Sequence, residues 1–277
     1  MEERLTLPGG LSLCIADEAA PTPYPTRRLQ KGLLLHYGER GLVEEGVGFG
    51  VPVLKRGVQT IFPGAVQLRS RADGPVREIA AVYELDLVER LAKARGGSVR
   101  PRALYAAKDT LAALHRRVPA LRGPLTALSG AGRRALGWST TYEPSAFRAS
   151  VPVTYTCHEG DPGVRIAADL TGLAEAGVTE VVLMNEVGAR EFDIYEDADG
   201  AALRGDAIGT WDEVTAASAR FASTRLGLVF SVARAPGARM YRGRELLGSR
   251  LAWVGFGLSA PPSAGRLEYE LRIEGPA

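Results

Sequence analysis

The sequence predicts a mainly β protein: a large antiparallel β-sandwich, one domain over 1–277, with a helical insertion around 89–137. Three observations carry this. Short apolar runs alternate with polar residues along most of the chain, turn residues interrupt them every ~10 positions, and one stretch alone carries a helical stripe. The clearest run is the last. Leu267, Tyr269, Leu271 and Ile273 face one way and Arg266, Glu268, Glu270 and Arg272 the other, the pattern of a half-buried antiparallel strand.

Taken in order, Leu5 and Leu7, the turn Pro8-Gly9-Gly10, and Leu11, Leu13 and Ile15 read as a hairpin. Pro21-Thr-Pro-Tyr-Pro25 is a connection, since proline removes a ladder donor and restrains its predecessor. Leu33 to Tyr37 forms a short strand. Gly46, Gly48 and Gly50 have the spacing of a phosphate cradle, but Pro52 and β-branched residues follow where a helix is required. Bulges or close backbone crossings suit these glycines better. Ile79 to Val88 alternates, with Tyr83, Leu85 and Leu87 opposite Glu84 and Asp86. Leu104, Ala107, Leu111, Leu114 and Val118 then recur at three and four, one stripe of a helix stopped by Pro119. Arg116-Arg117 and Arg133-Arg134 make that segment basic, which suits an anionic sugar if it overhangs a sheet. Strands are expected again at 150–157, 164–170, 178–184, 190–197, 226–233, 249–258 and 266–273.

Composition narrows the function. A chain of 277 residues buries about three quarters of its unfolded surface and needs no metal or disulfide staple. Apolar and charged contents of 45% and 24% are those of a globular protein. A net charge of +2 gives no electrostatic case for nucleic acid. Cys14 and Cys157 are read as reduced, buried thiols, and two cysteines with three histidines cannot build a Cys-rich zinc site. No metal and no cofactor are expected. The charged start Met1-Glu2-Glu3-Arg4 lacks an apolar signal core, and no apolar run reaches the ~18 residues of a membrane helix. The expectation is a cytoplasmic protein, with a homo-oligomer built on the helical stripe as one arrangement.

The candidate site lies on Val178 to Gly200, read as a strand pair. An apolar run turns polar at Asn185-Glu186, an alternating run follows with Phe192 and Ile194 opposite Glu191, Asp193 and Tyr195, and Asp199-Gly200 closes it. Asn185-Glu186 resembles the acid/base position of retaining glycosidases built on a (β/α)₈ barrel, over two residues. That chemistry needs a second carboxylate ~5 Å away from a later strand. Glu268, Glu270 and Glu274 come too late for a closing β/α unit, and the strand–helix alternation of a barrel is missing. Asp197-Ala-Asp199-Gly200 is similar to the start of a calcium loop, and a hairpin turn accounts for it fully. The length and all-β character also resemble those of mutarotase-like supersandwich proteins, a likeness of fold that carries no residue across.

Sugar-directed chemistry on a sandwich face fits best. Carboxylates and amides hydrogen-bond vicinal hydroxyls, and aromatic rings offer flat apolar faces to sugar C–H groups. Glu186 and His158 are the catalytic candidates for an epimerase, mutarotase-like or lyase-like reaction by general acid/base catalysis. Asn185, Arg190, Asp193, Tyr195, Trp211 and Trp253 are the substrate-binding candidates, for a small sugar or sugar acid. The competing class is a non-enzymatic binding or structural β-sandwich module. Convergence of Glu186, His158, Tyr195 and a tryptophan on one concavity separates the two.

Overall fold

A computed structural model of the chain describes residues 2–17, 30–43, 46–93, 110, 114, 118, 138–247 and 251–275. The described residues form eighteen strands: β1 (Glu2–Thr6), β2 (Leu11–Ala16), β3 (Leu34–Tyr37), β4 (Arg40–Gly41), β5 (Gly48–Arg56), β6 (Gln59–Asp73), β7 (Val76–Lys93), β8 (Trp138–His158) and β9 (Gly163–Asp169). They continue with β10 (Glu180–Gly188), β11 (Ile194–Asp197), β12 (Ala202–Arg204), β13 (Asp212–Val214), β14 (Ser218–Ala222), β15 (Val229–Ala233), β16 (Arg239–Leu247), β17 (Leu251–Ala260) and β18 (Arg266–Glu274). β1 to β4 form a small sheet in chain order. The other fourteen form one sheet in the order β12-β11-β14-β15-β18-β9-β8-β7-β6-β5-β10-β17-β16-β13.

That large sheet curls until its two halves face each other. Phe230 on β15 and Phe49 on β5 are six strands apart in hydrogen-bonding order, about 29 Å on a flat sheet. Their ring centroids lie 5.5 Å apart. Phe221 on β14 meets Phe256 on β17 at 4.6 Å in the same way. The fold is therefore an antiparallel β-sandwich, with its aromatic core between the leaves. Bending concentrates at irregularities: register shifts occur around Pro63 on β6, between Leu85 and Leu87 on β7, and between Met184 and Asn185 on β10, where bulges add local twist.

Leu5, Leu13 and Ile15 of the small sheet belong to the same buried cluster as Phe49, Tyr155 and Phe256. An antiparallel bridge between Leu33 and Phe49 joins the two sheets. Within the core a polar chain runs from Tyr83, which donates to the Lys31 carbonyl at 2.9 Å, to Tyr155 at 2.6 Å and on to the Phe49 and Gly50 carbonyls. Gly50 has φ +75, and a Cβ there would stand 2.6 Å from the Tyr155 ring.

Several expectations need correction. Residues 89–93, expected within the helical insertion, instead continue β7 and pair with 138–142 of β8. Thr110 and Leu114 are helical, and Val118 N–H donates to the Leu114 carbonyl at 2.9 Å. The rest of the predicted stripe, the basic residues Arg116, Arg117, Arg133 and Arg134, and the Pro21–Pro25 connection lie outside the described residues. The strand pair read over 178–200 does not form. β10 pairs with β5 and β17, and β11 pairs with β12 and β14. Asp199-Gly200 does turn a hairpin, between β11 and β12, with the Asp197 carboxylate accepting from the Asp199 and Ala201 N–H groups.

Cys14 and Cys157 are free and buried. Among the described residues no helix is long and apolar enough to cross a membrane, and no group of three or more His, Cys, Asp or Glu is placed to hold a metal.

Candidate functional site

On β17, Val254, Phe256 and Leu258 point into the core, so Trp253, Gly255 and Gly257 point outward. Register then builds a patch on that outer face from three cross-strand rows: Met184–Gly257–Tyr241, Glu186–Gly255–Gly243 and Gly188–Trp253–Glu245. Glycine at the middle of the patch lets large rings lie against the sheet. A Cβ on Gly243 would stand 2.8 Å from the Trp253 ring, and one on Gly257 would stand 2.9 Å from the Trp211 ring.

Two of the three tryptophans thus meet. Trp211 and Trp253 stack with centroids 5.0 Å apart and planes 27° from parallel, and both are half-buried. Trp253 donates its indole N–H to Glu245 at 3.2 Å, which fixes the ring's orientation. Trp211 reaches the patch with φ 58, the one non-glycine residue with positive φ among the described residues. Left-handed backbone at a bulky residue is costly and gathers at functional sites.

Glu186 lies in the adjacent row and is 5% exposed. Its carboxylate accepts the Val47 N–H at 3.1 Å, and Gly46 closes over its Cβ. Burial pushes this carboxyl up to about 8; the Val47 hydrogen bond opposes the shift and the neighbouring Glu245 charge adds to it. Glu186 is therefore mostly protonated at neutral pH, a buried acid one cross-strand row from Trp253.

The remaining predicted residues lie elsewhere. Asn185 points to the opposite face and is fully buried, accepting from Tyr269 at 2.7 Å and Gly50 N–H at 3.1 Å while donating to the Leu183 carbonyl. Tyr195 packs among Phe221 and Phe256, and burial raises its phenol, which donates to Asp197 at 2.8 Å. Asp193 is partly exposed; burial works to raise its carboxyl, but Thr224 N–H and hydroxyl outweigh this and hold it low. Arg190 is exposed beside that turn. His158 ends β8, exposed and opposite Val76, with β7, β6 and β5 between its strand and β10. The structure brings together Trp211 and Trp253, with Glu186 one cross-strand row away. His158, Asn185, Tyr195, Asp193 and Arg190 do not join them.

Two further corrections concern 185–195. The polarity change expected at Asn185 is not a change in exposure, because Asn185 and Glu186 are both buried. The alternation over 191–195 fails too: Glu191, Phe192 and Tyr195 are all buried, Glu191 between Arg40 and Arg225. Glu245 joins the patch without any local sequence pattern that singles it out. Its signal is the run Gly243-Arg-Glu245 opposite Trp253-Val-Gly255, visible only once β16 and β17 are paired.

No family model and no curated protein matches the chain. Among solved structures it is similar to the α-N-acetylgalactosaminidase NagBb from Bifidobacterium bifidum, in complex with Gal-NHAc-DNJ, with a TM-score of 0.52 and 10% identity. The match covers 99% of this chain and 36% of that one. HI1317 matches with a TM-score of 0.34 and 7% identity, over 99% of this chain and all of that one. The chain thus spans about a third of the length of NagBb, and what the two share is the β-sandwich fold.

Proposed function

We propose that this protein is carbohydrate-directed and binds a sugar ring on the outer face of β10, β17 and β16. The stacked Trp211–Trp253 pair carries the proposal. Half-buried indoles resting on glycine offer flat apolar surface to the C–H face of a pyranose, and Glu245 beside them accepts from ring hydroxyls. Glu186 in the next row, 5% exposed, backs the platform as a buried, protonated carboxyl. The fold likeness to an enzyme named for N-acetylgalactosaminide hydrolysis supports N-acetylgalactosamine and galactose as first probes.

Within this class, binding is the better supported activity. Epimerase or lyase chemistry needs a base and an acid within reach of one carbon. Glu186 and His158, the pair chosen for those roles, stand on strands separated by three others. A chemical role for the site therefore rests on Glu186 with Glu245.

Titration of intrinsic tryptophan emission with N-acetylgalactosamine, galactose, glucose and galacturonate tests the proposal. Saturable change at millimolar sugar, removed by Trp253→Ala, is the expected result. If no sugar changes the emission or raises the melting temperature, the proposal is wrong.

A further inference from the structure

The opposite leaf carries a groove of about 690 Å³ over the outward faces of β11, β14, β15 and β18, floored by alanine and serine side chains. Pairing register sets four outward residues directly opposite one another across it: Glu196 faces Arg220, Arg220 faces Ser231, and Ser231 faces Arg272. At about 4.8 Å per strand the row is about 15 Å long, longer than one pyranose ring.

Both guanidinium groups are tethered. Arg220 gives its Nε to Glu196 at 2.7 Å and a terminal nitrogen at 2.6 Å. Arg272 holds Glu270 at 2.6 Å and lies 3.5 Å from Asp161. A guanidinium carries five N–H donors, so each arginine keeps donors beyond these bonds. The row thus alternates fixed acceptors with fixed donors around the Ser231 hydroxyl, which does both.

We propose that this groove is a second carbohydrate site, taking a neutral oligosaccharide along the Glu196–Arg220–Ser231–Arg272 row. A sugar hydroxyl donates and accepts at once and so matches a carboxylate beside a guanidinium. A simple anion matches it poorly: Glu196, Asp197 and Glu270 outnumber Arg220 and Arg272 in the lining, and both arginines are already paired. The volume falls within the ~300–1,000 Å³ of ligand clefts. This site shares the sugar class with the indole platform and none of its residues.

Calorimetric titration with lactose, maltotriose and triacetylchitotriose, each to about 10 mM, tests the groove. Ser231→Leu fills it from the outer face, and Arg220→Met removes one donor set at similar length; melting curves check that both variants fold. Binding of at least one oligosaccharide, weakened about tenfold by either variant and retained in Trp253→Ala, is expected. Three results overturn the proposal: no oligosaccharide binds the wild type, both variants bind within about twofold of it, or about 50 mM sulfate displaces the sugar. Binding lost in Trp253→Ala and kept in Ser231→Leu assigns the sugar to the platform and removes the groove. The reverse removes the platform and keeps the groove.

Discussion

Replacing Glu186 with Gln removes a titrating group from the candidate site while keeping its shape and an oxygen for the Val47 N–H. The carboxyl titrates near 4.5 when unfolded and near 8 in the native protein. Between those values the native state binds the proton more tightly than the unfolded state, so wild-type stability falls as pH rises. The loss runs at up to about 1.4 kcal/mol per pH unit and reaches about 5 kcal/mol above pH 8. Glutamine carries no such slope. Near pH 4 both proteins hold a neutral side chain and match. At pH 7 the variant is more stable by about 3 kcal/mol, which for a chain of this size raises the melting temperature by roughly 6–12 °C. Denaturant unfolding of both proteins at pH 4, 5.5, 7 and 8.5, with the difference plotted against pH, is the assay. A flat difference across that range means Glu186 ionises as an exposed carboxylate does, and its burial in the site is refuted.

Asn185→Leu strands the Gly50 N–H and the Tyr269 hydroxyl inside the core and costs about 3–5 kcal/mol by urea unfolding; a loss under ~1 kcal/mol contradicts the buried network. Gly257→Ala drives a methyl into the Trp211 ring, so the near-ultraviolet dichroism of the stacked indoles is lost while the far-ultraviolet spectrum stays; an unchanged near-ultraviolet spectrum contradicts that packing. Gly50→Ala forces a non-glycine residue to φ +75 against Tyr155 and destabilises by about 2–4 kcal/mol, measured as a drop in melting temperature. Cys14 and Cys157, whose thiols burial pushes up, react with a thiol reagent only on unfolding; fast native labelling of both contradicts their burial.

What the sequence made legible was local. The hairpin of Leu5 to Ile15 and the strand through Leu267, Tyr269, Leu271 and Ile273 stand where alternation puts them; β1 and β18 each have one face in the core and one in water, while Leu11 to Ile15 of β2 are buried on both faces. Alternation failed at 191–195. There Glu191 is buried by ion pairs to Arg40 and Arg225, which lie 151 and 34 residues away in the chain. Pairing order was not legible either. β10 finds β5 and β17 rather than the run that follows it, and no local rule states which strands become neighbours. The site suffered for the same reason. Adjacent residues on a strand point to opposite faces, so Asn185 went to the core and Glu186 to the indole patch, and Glu245 became relevant only through its pairing with Trp253.

Sugar binding by the Trp211–Trp253 pair is open to one direct measurement. The three indole N–H signals of a nitrogen-15-labelled sample read it directly, since each tryptophan gives one. Titration with N-acetylgalactosamine or galactose is predicted to move the signals of Trp211 and Trp253, assigned by single substitutions, in a saturable way and to leave that of Trp138 in place. If none of the three moves, or only Trp138 does, the platform does not bind sugar.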